Sequence, residues 1–256
     1  MKLLCVGDVV GEPGLRFLCR RLPALRRRLS VDVCIVNGEN AHPDGVGITR
    51  SIAEELFAHG ADAVTTGNHA LRRAPESLYE ETEALLCPAN LPYLEPAAGR
   101  VTLDFGRYAV TVLNLSGVAF LEPVDSPFDV ADRLLAEDTA RFRVVDFHAE
   151  STAEKQALAR YLDGRVSAVF GTHTHVPTAD AGVLPGGTGF ITDVGMTGPV
   201  DSVIGVEPSL AIRRQRTHRP VRFAVAGGPC RLDAVLFTCE DATGRCIAAE
   251  QIREEE

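Results

Sequence analysis

Short apolar runs that stop on a glycine recur along the chain. Lys2 to Val6 ends at Gly7-Asp8, Val31 to Val36 leads into Asn37-Gly38-Glu39-Asn40, and Ala61 to Thr66 ends at Gly67-Asn68-His69. Between them, apolar positions from Leu15 to Leu29 and from Thr49 to His59 follow helical spacing, the second stretch closed by Gly60. Strand, helix, strand, helix, strand is the unit from which parallel sheets are built.

The pattern changes in the middle of the chain. Arg100 to Asp104 and Tyr108 to Leu115, split by Phe105-Gly106-Arg107, predict an antiparallel hairpin. A helix is expected from Val130 to Arg141, then a strand from Arg143 to Phe147 that ends at His148-Ala149-Glu150. A further helix, Ser151 to Tyr161, opens with the capping-box spacing of Ser151 and Glu154. The strand Ser167 to Phe170 runs into Gly171-Thr172-His173-Thr174-His175, and Val221 to Val225, Arg231 to Cys239 and Gly244 to Arg253 predict closing antiparallel strands. No linker and no repeat interrupts the pattern. One α/β domain over residues 1–256 is expected, a layered sandwich with mixed sheets.

Polar blocks directly after strands carry chemistry, because ligands of open α/β sheets gather outside the carboxyl ends of the strands. Taken singly, an Asp or Asn in such a place is a cap or turn residue, and a lone His is a surface or core group. Taken together, Asp8, Glu39, Asn40, Asn68, His148, His173 and His175 form a mixed nitrogen and oxygen donor set without thiolate. That set suits first-row transition metals. One ion takes about four to six ligands, so this many candidates suggest two ions with a shared carboxylate.

Composition narrows the picture further. Charged residues make up 24% and apolar ones 45%, the balance of a soluble globular protein. The 7 cysteines are scattered without a CxxC pair, which suggests reduced thiols in a cytoplasm. No apolar run approaches the roughly 20 residues of a membrane span, and the N-terminal run is too short for a secretory signal. A net charge of −9 disfavours extended nucleic acid as a partner, and Arg20, Arg21, Arg26, Arg27 and Arg28 read as one solvated helix face. His42 sits in a loop near the expected site and reads as solvent-exposed.

In order, Gly7-Asp8, Gly38-Glu39-Asn40, Gly67-Asn68-His69, His148 and Gly171-Thr172-His173-Thr174-His175 resemble the scattered blocks of the calcineurin-like metallophosphoesterase superfamily. Three departures are informative: Asp8-Val9-Val10 where that superfamily has Asp-x-His, Gly38-Glu39 where it has Gly-Asp, and Ala70 where an acidic residue often follows the third block. With them the chain is similar to the YmdB-like family of bacterial metallophosphoesterases. Gly7-Asp8-Val9-Val10-Gly11, Asp146-Phe147-His148-Ala149-Glu150 and Ile191-Thr192-Asp193-Val194-Gly195-Met196-Thr197-Gly198-Pro199 carry that likeness, which runs from Asp8 to Val221-Arg222-Phe223.

The resemblance implies a layered α/β/β/α metallophosphoesterase sandwich with the metal site at the carboxyl ends of the strands. It implies a dinuclear-metal phosphodiesterase that hydrolyses cyclic nucleotides, notably 2′,3′-cyclic ones, by attack of metal-bound hydroxide. On the same ground Asp8, Asn40 and His175 hold one metal, Asn68, His148 and His173 hold the other, Glu39 bridges, and His69 donates the proton. Iron is the favoured metal, with manganese or zinc as alternatives, and a homo-oligomer is expected. Other readings stay open: His69 as a residue that orients Asn68 or a phosphate, a metal- and nucleotide-binding regulatory protein with little turnover, or phosphatase or nuclease chemistry. Glu150 and Asp193 read as residues that orient the histidines rather than as ligands.

Overall fold

Alternate residues of the first strand serve two different cores. In the computed structural model, which describes residues 1–92 and 96–256, Leu3 and Cys5 face one apolar cluster while Leu4 and Val6 face another. All four are fully buried. A strand with no polar face must lie in a sheet covered on both sides.

In chain order the elements are β1 (Lys2–Val6), β2 (Asp8–Val9), α1 (Gly11–Leu29), β3 (Val33–Asn37), α2 (Arg50–Ala58), β4 (Ala63–Thr65) and α3 (Glu76–Glu81). Next come β5 (Arg100–Asp104), β6 (Ala109–Ser116), α4 (Pro127–Ala136), β7 (Phe142–His148), α5 (Thr152–Tyr161) and β8 (Ala168–Thr172). The chain closes with β9 (Gly182–Val183), β10 (Gly189–Ile191), β11 (Met196–Pro199), α6 (Pro208–Thr217), β12 (Cys230–Cys239) and β13 (Cys246–Glu255). The described strands form a seven-stranded sheet, β2-β11-β12-β1-β3-β4 with β13 on β12, and a six-stranded sheet, β5-β6-β7-β8-β10-β9.

Both sheets are mixed. β1, β3 and β4 are mutually parallel, as are β6, β7, β8 and β10, while β12 runs antiparallel to β1. The sheets stack face to face through Leu3, Ile35 and Phe237 on one side and Val112, Val144 and Phe170 on the other. Outside them, α1 and α2 cover the first sheet through Leu18, Leu22, Ile52 and Leu56, and α4 and α5 cover the second through Val130, Leu135 and Leu158. The result is an α/β/β/α sandwich.

Several element boundaries depart from the sequence pattern. The first helix starts at Gly11 rather than Leu15, because Pro13 is tolerated in a first turn, where its missing N–H costs nothing. The helix expected to reach Arg141 ends at Ala136, since Asp138 turns inward to accept from Thr111 Oγ1 at 2.8 Å and from Arg143 Nε at 2.5 Å. Ser151 accepts from Glu154 N–H as the capping box requires, but the Glu154 carboxylate turns away to Val118 N–H at 2.8 Å. Val221 to Val225 is not a strand; only the isolated Val206–Val225 bridge forms. α3, β9, β10, β11 and α6 carry no clear sequence period and were not expected.

Two expectations about composition meet the structure directly. Of the basic residues of α1, Arg20, Arg21, Arg27 and Arg28 are exposed, Arg20 pairing with Glu256 and Arg28 with Glu254. Arg26 is half-buried and pairs with Asp62 at 2.9 Å, so the solvated face is smaller than expected. Among the described residues no helix is long and apolar enough to cross a membrane.

Candidate metal centre

The parallel strands of both sheets end at one pole, and each block named from the sequence lies there. Gly7 breaks β1, after which Asp8 opens β2 and pairs with Met196 of β11. Glu39 and Asn40 follow β3, Asn68 and His69 follow β4, His148 is the last residue of β7, and His173 and His175 follow β8. The seven candidate ligands and His69 thus come together from the strand ends of both sheets. His173 and His175 sit in a loop with left-handed backbone, φ 98° and 64°, not in an extended strand.

The tightest cluster surrounds Nε2 of His148. Glu39 Oε1, Asn68 Oδ1 and His173 Nδ1 each lie 3.0 Å from it. Hydrogen bonds elsewhere occupy the other nitrogen of each imidazole. His148 Nδ1–H donates to Thr172 Oγ1 at 2.9 Å, because that hydroxyl already donates to Asp146 Oδ1 at 2.7 Å. His173 Nε2 pairs with Glu150 Oε2 at 3.0 Å. With a cation bound, both imidazoles would offer it their remaining nitrogen, His148 Nε2 and His173 Nδ1, beside a carboxylate and an amide oxygen.

Without a metal, a proton on His148 Nε2 lies among these acceptors; a bound cation would take its place. Metal–donor bonds of about 2.1 Å place neighbouring ligands about 3 Å apart, the spacing found here. The surrounding charge is negative and favours a cation there. Burial works against a charged His148, yet Glu39, Asp8 and Asp146 overcome it and push the imidazole up to about 9. Burial opposes the Glu39 carboxylate as well, but His148 and His69 hold it well below the usual range. His173 is driven down to about 3, by burial first and by His148 second. The donor set fits a first-row ion.

A second, looser group adjoins it. His175 Nδ1–H donates to the Ile204 carbonyl at 2.8 Å, leaving Nε2 to accept from Asn40 Nδ2 at 3.1 Å, with Asp8 Oδ1 at 3.7 Å. Asp8 Oδ2 accepts His173 N–H at 3.0 Å, and burial raises the Asp8 carboxyl despite His175 and His148. Glu39 stands between the groups: Oε1 belongs to the first cluster, and Asn40 Nδ2 lies 3.3 Å from the same atom.

His69 lines the cavity over these groups. Its Nδ1 lies 3.0 Å from Asn40 Oδ1 and 3.4 Å from Glu39 Oε1, its N–H donates to Glu39 Oε2 at 3.1 Å, and among the described residues no protein group hydrogen-bonds Nε2. Glu150 orients His173, as expected. Asp193 acts one step further back, holding the Thr174 N–H between the two histidines at 3.1 Å while Lys155 Nζ pairs with the same oxygen at 2.7 Å. Lys155 and Asp193 are both buried. His42 is half-buried beside Asp44 rather than free in solvent.

Three contributors had no role in the sequence reading: Asp146, Thr172 and Asn37. Asp146 Oδ2 accepts from Asn37 Nδ2 at 3.0 Å and from Thr65 Oγ1, so this one carboxylate ties β3, β4, β7 and β8 together beneath the site. Burial lifts it to about 6 against those three hydrogen bonds. Its position two residues before His148 on one strand places both on the same face, a signal the sequence did contain. Gly67 is required by close approach: a Cβ there would lie 2.1 Å from the His148 ring.

Two facing mixed sheets flanked by helices, with histidines, carboxylates and amides collected at the strand ends, define a fold of the metallophosphoesterase type. Comparison with known proteins narrows this. The family model described as YmdB-like protein matches residues 4–252, and the chain belongs to that family. It is 43% identical over 255 residues to the 2′,3′-cyclic-nucleotide 2′-phosphodiesterase of Bacillus subtilis (strain 168), covering 98% of this chain and 96% of that protein. Among solved structures, a hypothetical protein from Thermus thermophilus superposes with TM-score 0.92 at 43% identity, covering 100% of both chains. A structure described as a novel phosphatase from Mycoplasma pneumoniae gives TM-score 0.92 at 33% identity, covering 100% of this chain and 93% of that one.

Proposed function

We propose that this protein is a dinuclear-metal phosphodiesterase that hydrolyses cyclic nucleotides, 2′,3′-cyclic ones in particular. The approach of Glu39 Oε1, Asn68 Oδ1 and His173 Nδ1 to 3.0 Å from His148 Nε2 supports it most directly, and the name of the Bacillus subtilis relative supplies the substrate class. In this reading Glu39, Asn68, His148 and His173 hold one ion, Asp8, Asn40 and His175 hold the other, and Glu39 is shared. Two ions there would acidify the attacking water and neutralise the phosphoryl oxygens. Iron is favoured by family likeness, with manganese or zinc as alternatives.

The chain's own residues set the proton donor. Asn40 turns Oδ1 to His69 Nδ1 and its NH2 to His175, Asp8 and Glu39; an asparagine ligates through its oxygen, so metal binding would turn this amide over and bring its NH2 to His69 Nδ1. That nitrogen must then accept, and the proton of His69 resides on Nε2. An imidazole held this way donates to the departing ribose oxygen. Residues 1–256 are read as one domain of a cytoplasmic protein, supported by the core shared between the sheets and by 7 cysteines that are all buried and unpaired.

The decisive experiment combines metal analysis with turnover of 2′,3′-cyclic AMP, a generic diester and a monoester. About two ions per chain are expected, with hydrolysis of the cyclic ester. His69→Ala is expected to keep both ions and lose roughly 10²- to 10⁴-fold in kcat; full metal content with full rate removes the proton-donor role. A metal-loaded protein that binds nucleotide without turnover would instead be a regulatory binder, and turnover of monoesters alone would make it a phosphatase.

A further inference from the structure

The cavity over the metal donors has two unlike sides. It measures about 350 Å³, and one side carries Glu39, Asn40, His69, His173 and His175. The other is apolar: Ile204, Val206, Phe223 and Val225, with Val46 at the rim. A nucleotide has the same division, an anionic ester at one end and a flat apolar base at the other. We propose that the Ile204, Phe223 and Val225 face is the nucleobase subsite, with the Phe223 ring as its stacking platform. The inference rests on the phosphodiesterase reading and extends it to substrate selection.

Phe223 is placed for this role and for no visible structural one. Its side chain is 45% exposed, and the segment around it separates the metal cavity from a second cleft lined by Glu12, Pro13, His42 and Arg222. A large phenyl group left out of the core, with open space on both sides, stabilises the fold little. It is the sole phenyl ring among the described residues that line the cavity.

The face is rigid although it is exposed. Glu207 N–H donates to Ala224 O at 3.0 Å and Ala226 N–H to Gly205 O at 2.9 Å, fixing the Val206–Val225 bridge from both ends. Val225 then fits against Gly11 and Gly45, where any Cβ would come within 2.7 and 2.9 Å of its methyls. A surface held in its binding conformation loses little entropy when a ligand arrives. The same ribbon reaches the metal donors, because the Ile204 carbonyl accepts from His175.

Chemistry sets the selectivity. Ile204, Val206, Phe223 and Val225 carry no side-chain amide or hydroxyl; the Thr174 hydroxyl lines the same cavity among the metal donors, and the nearby Asp44 carboxylate is engaged by Arg73 and His42. Recognition by stacking follows area, so purines are favoured over pyrimidines while adenine and guanine are treated alike.

The test compares the metal-loaded protein with Phe223→Ala on 2′,3′-cyclic AMP and on methyl riboside 2,3-cyclic phosphate, which lacks a base. The wild-type preference for the nucleotide, as a ratio of kcat/KM, is expected to fall roughly 5- to 100-fold in the variant, through KM. A retained ratio overturns the proposal, as does a preference for cytosine over adenine in the wild type. Binding is read separately from turnover. The chain has no tryptophan, so Phe223→Trp introduces a single reporter whose emission 2′,3′-cyclic AMP should quench and the base-free ester should not. Equal responses to the two, or none, overturn the subsite even if the protein proves to have no diesterase activity. Loss of diesterase turnover with selective quenching instead overturns the catalytic reading alone.

Discussion

The donors around His148 and those around Asp8 are held by different means. In the first group, His148 ends a strand, its free imidazole N–H is fixed by Thr172 and Asp146, and three contacts of 3.0 Å converge on one nitrogen. In the second, His175 stands in a left-handed loop, its ring is fixed by a backbone carbonyl of another loop, and it lies 3.7 Å from Asp8. Strand residues inherit their positions from the ladder; loop residues need individual tethers. His148 is accordingly the fixed point of the first group, whose Glu39, Asn68 and His173 follow strands in loops, and His175 the tethered donor of the second, whose Asp8 opens β2.

That contrast can be broken at graded strengths. On the proposed two-metal reading Glu39 is shared between the groups, so Glu39→Ala should release both ions and take cyclic-ester turnover below detection, read by metal analysis and assay on one preparation. Retention of one tightly bound ion would show that the groups are independent. Gly67→Ala attacks the first group alone. Its new methyl would enter the His148 ring position, and a displacement near 1 Å is expected to cost about 100-fold in kcat. An unchanged rate would mean that the ring can yield.

Thr172→Val keeps the shape of the first group and removes the hydroxyl between His148 and Asp146. A weakening of roughly 10- to 100-fold is expected for one of the two ions, measured by chelator competition; equal weakening of both would erase the distinction between the groups. The smallest effect belongs to Ile204→Gly. The carbonyl that tethers His175 persists, and a β-branched residue at φ 50° is relieved of strain. Metal affinity should shift by no more than about 3-fold, with stability rising by about 1 kcal/mol in denaturant titration. A larger loss of metal would mean that the side chain, and not the peptide, holds the loop.

The same contrast explains what the sequence made legible. Residues with distinctive donor chemistry at the ends of apolar runs stood out, and the structure gathers all of them at one pole. Their supports were harder to read. Asp146 and Thr172 stand inside blocks that carry the family resemblance, but nothing in those blocks names their roles: Asp146 lies in an apolar strand in two-residue phase with His148, and Thr172 looks like any strand-end threonine. Ile204 contributes a carbonyl, which every residue possesses. Val221 to Val225 has the composition of a strand, but its backbone meets a partner at one bridge, so β propensity alone misplaced it. α6 buries only Ala211 and thus lacks the apolar stripe by which helices announce themselves.

Position 204 gives two things to the site from two parts of one residue, a peptide oxygen to His175 and a side chain to the cavity. Only the second is written in the codon. Descendants of this gene can therefore exchange the side chain, and with it the shape offered to a substrate, while the histidine tether is inherited unaltered. Proline is the exception, because its ring forbids the left-handed backbone found there.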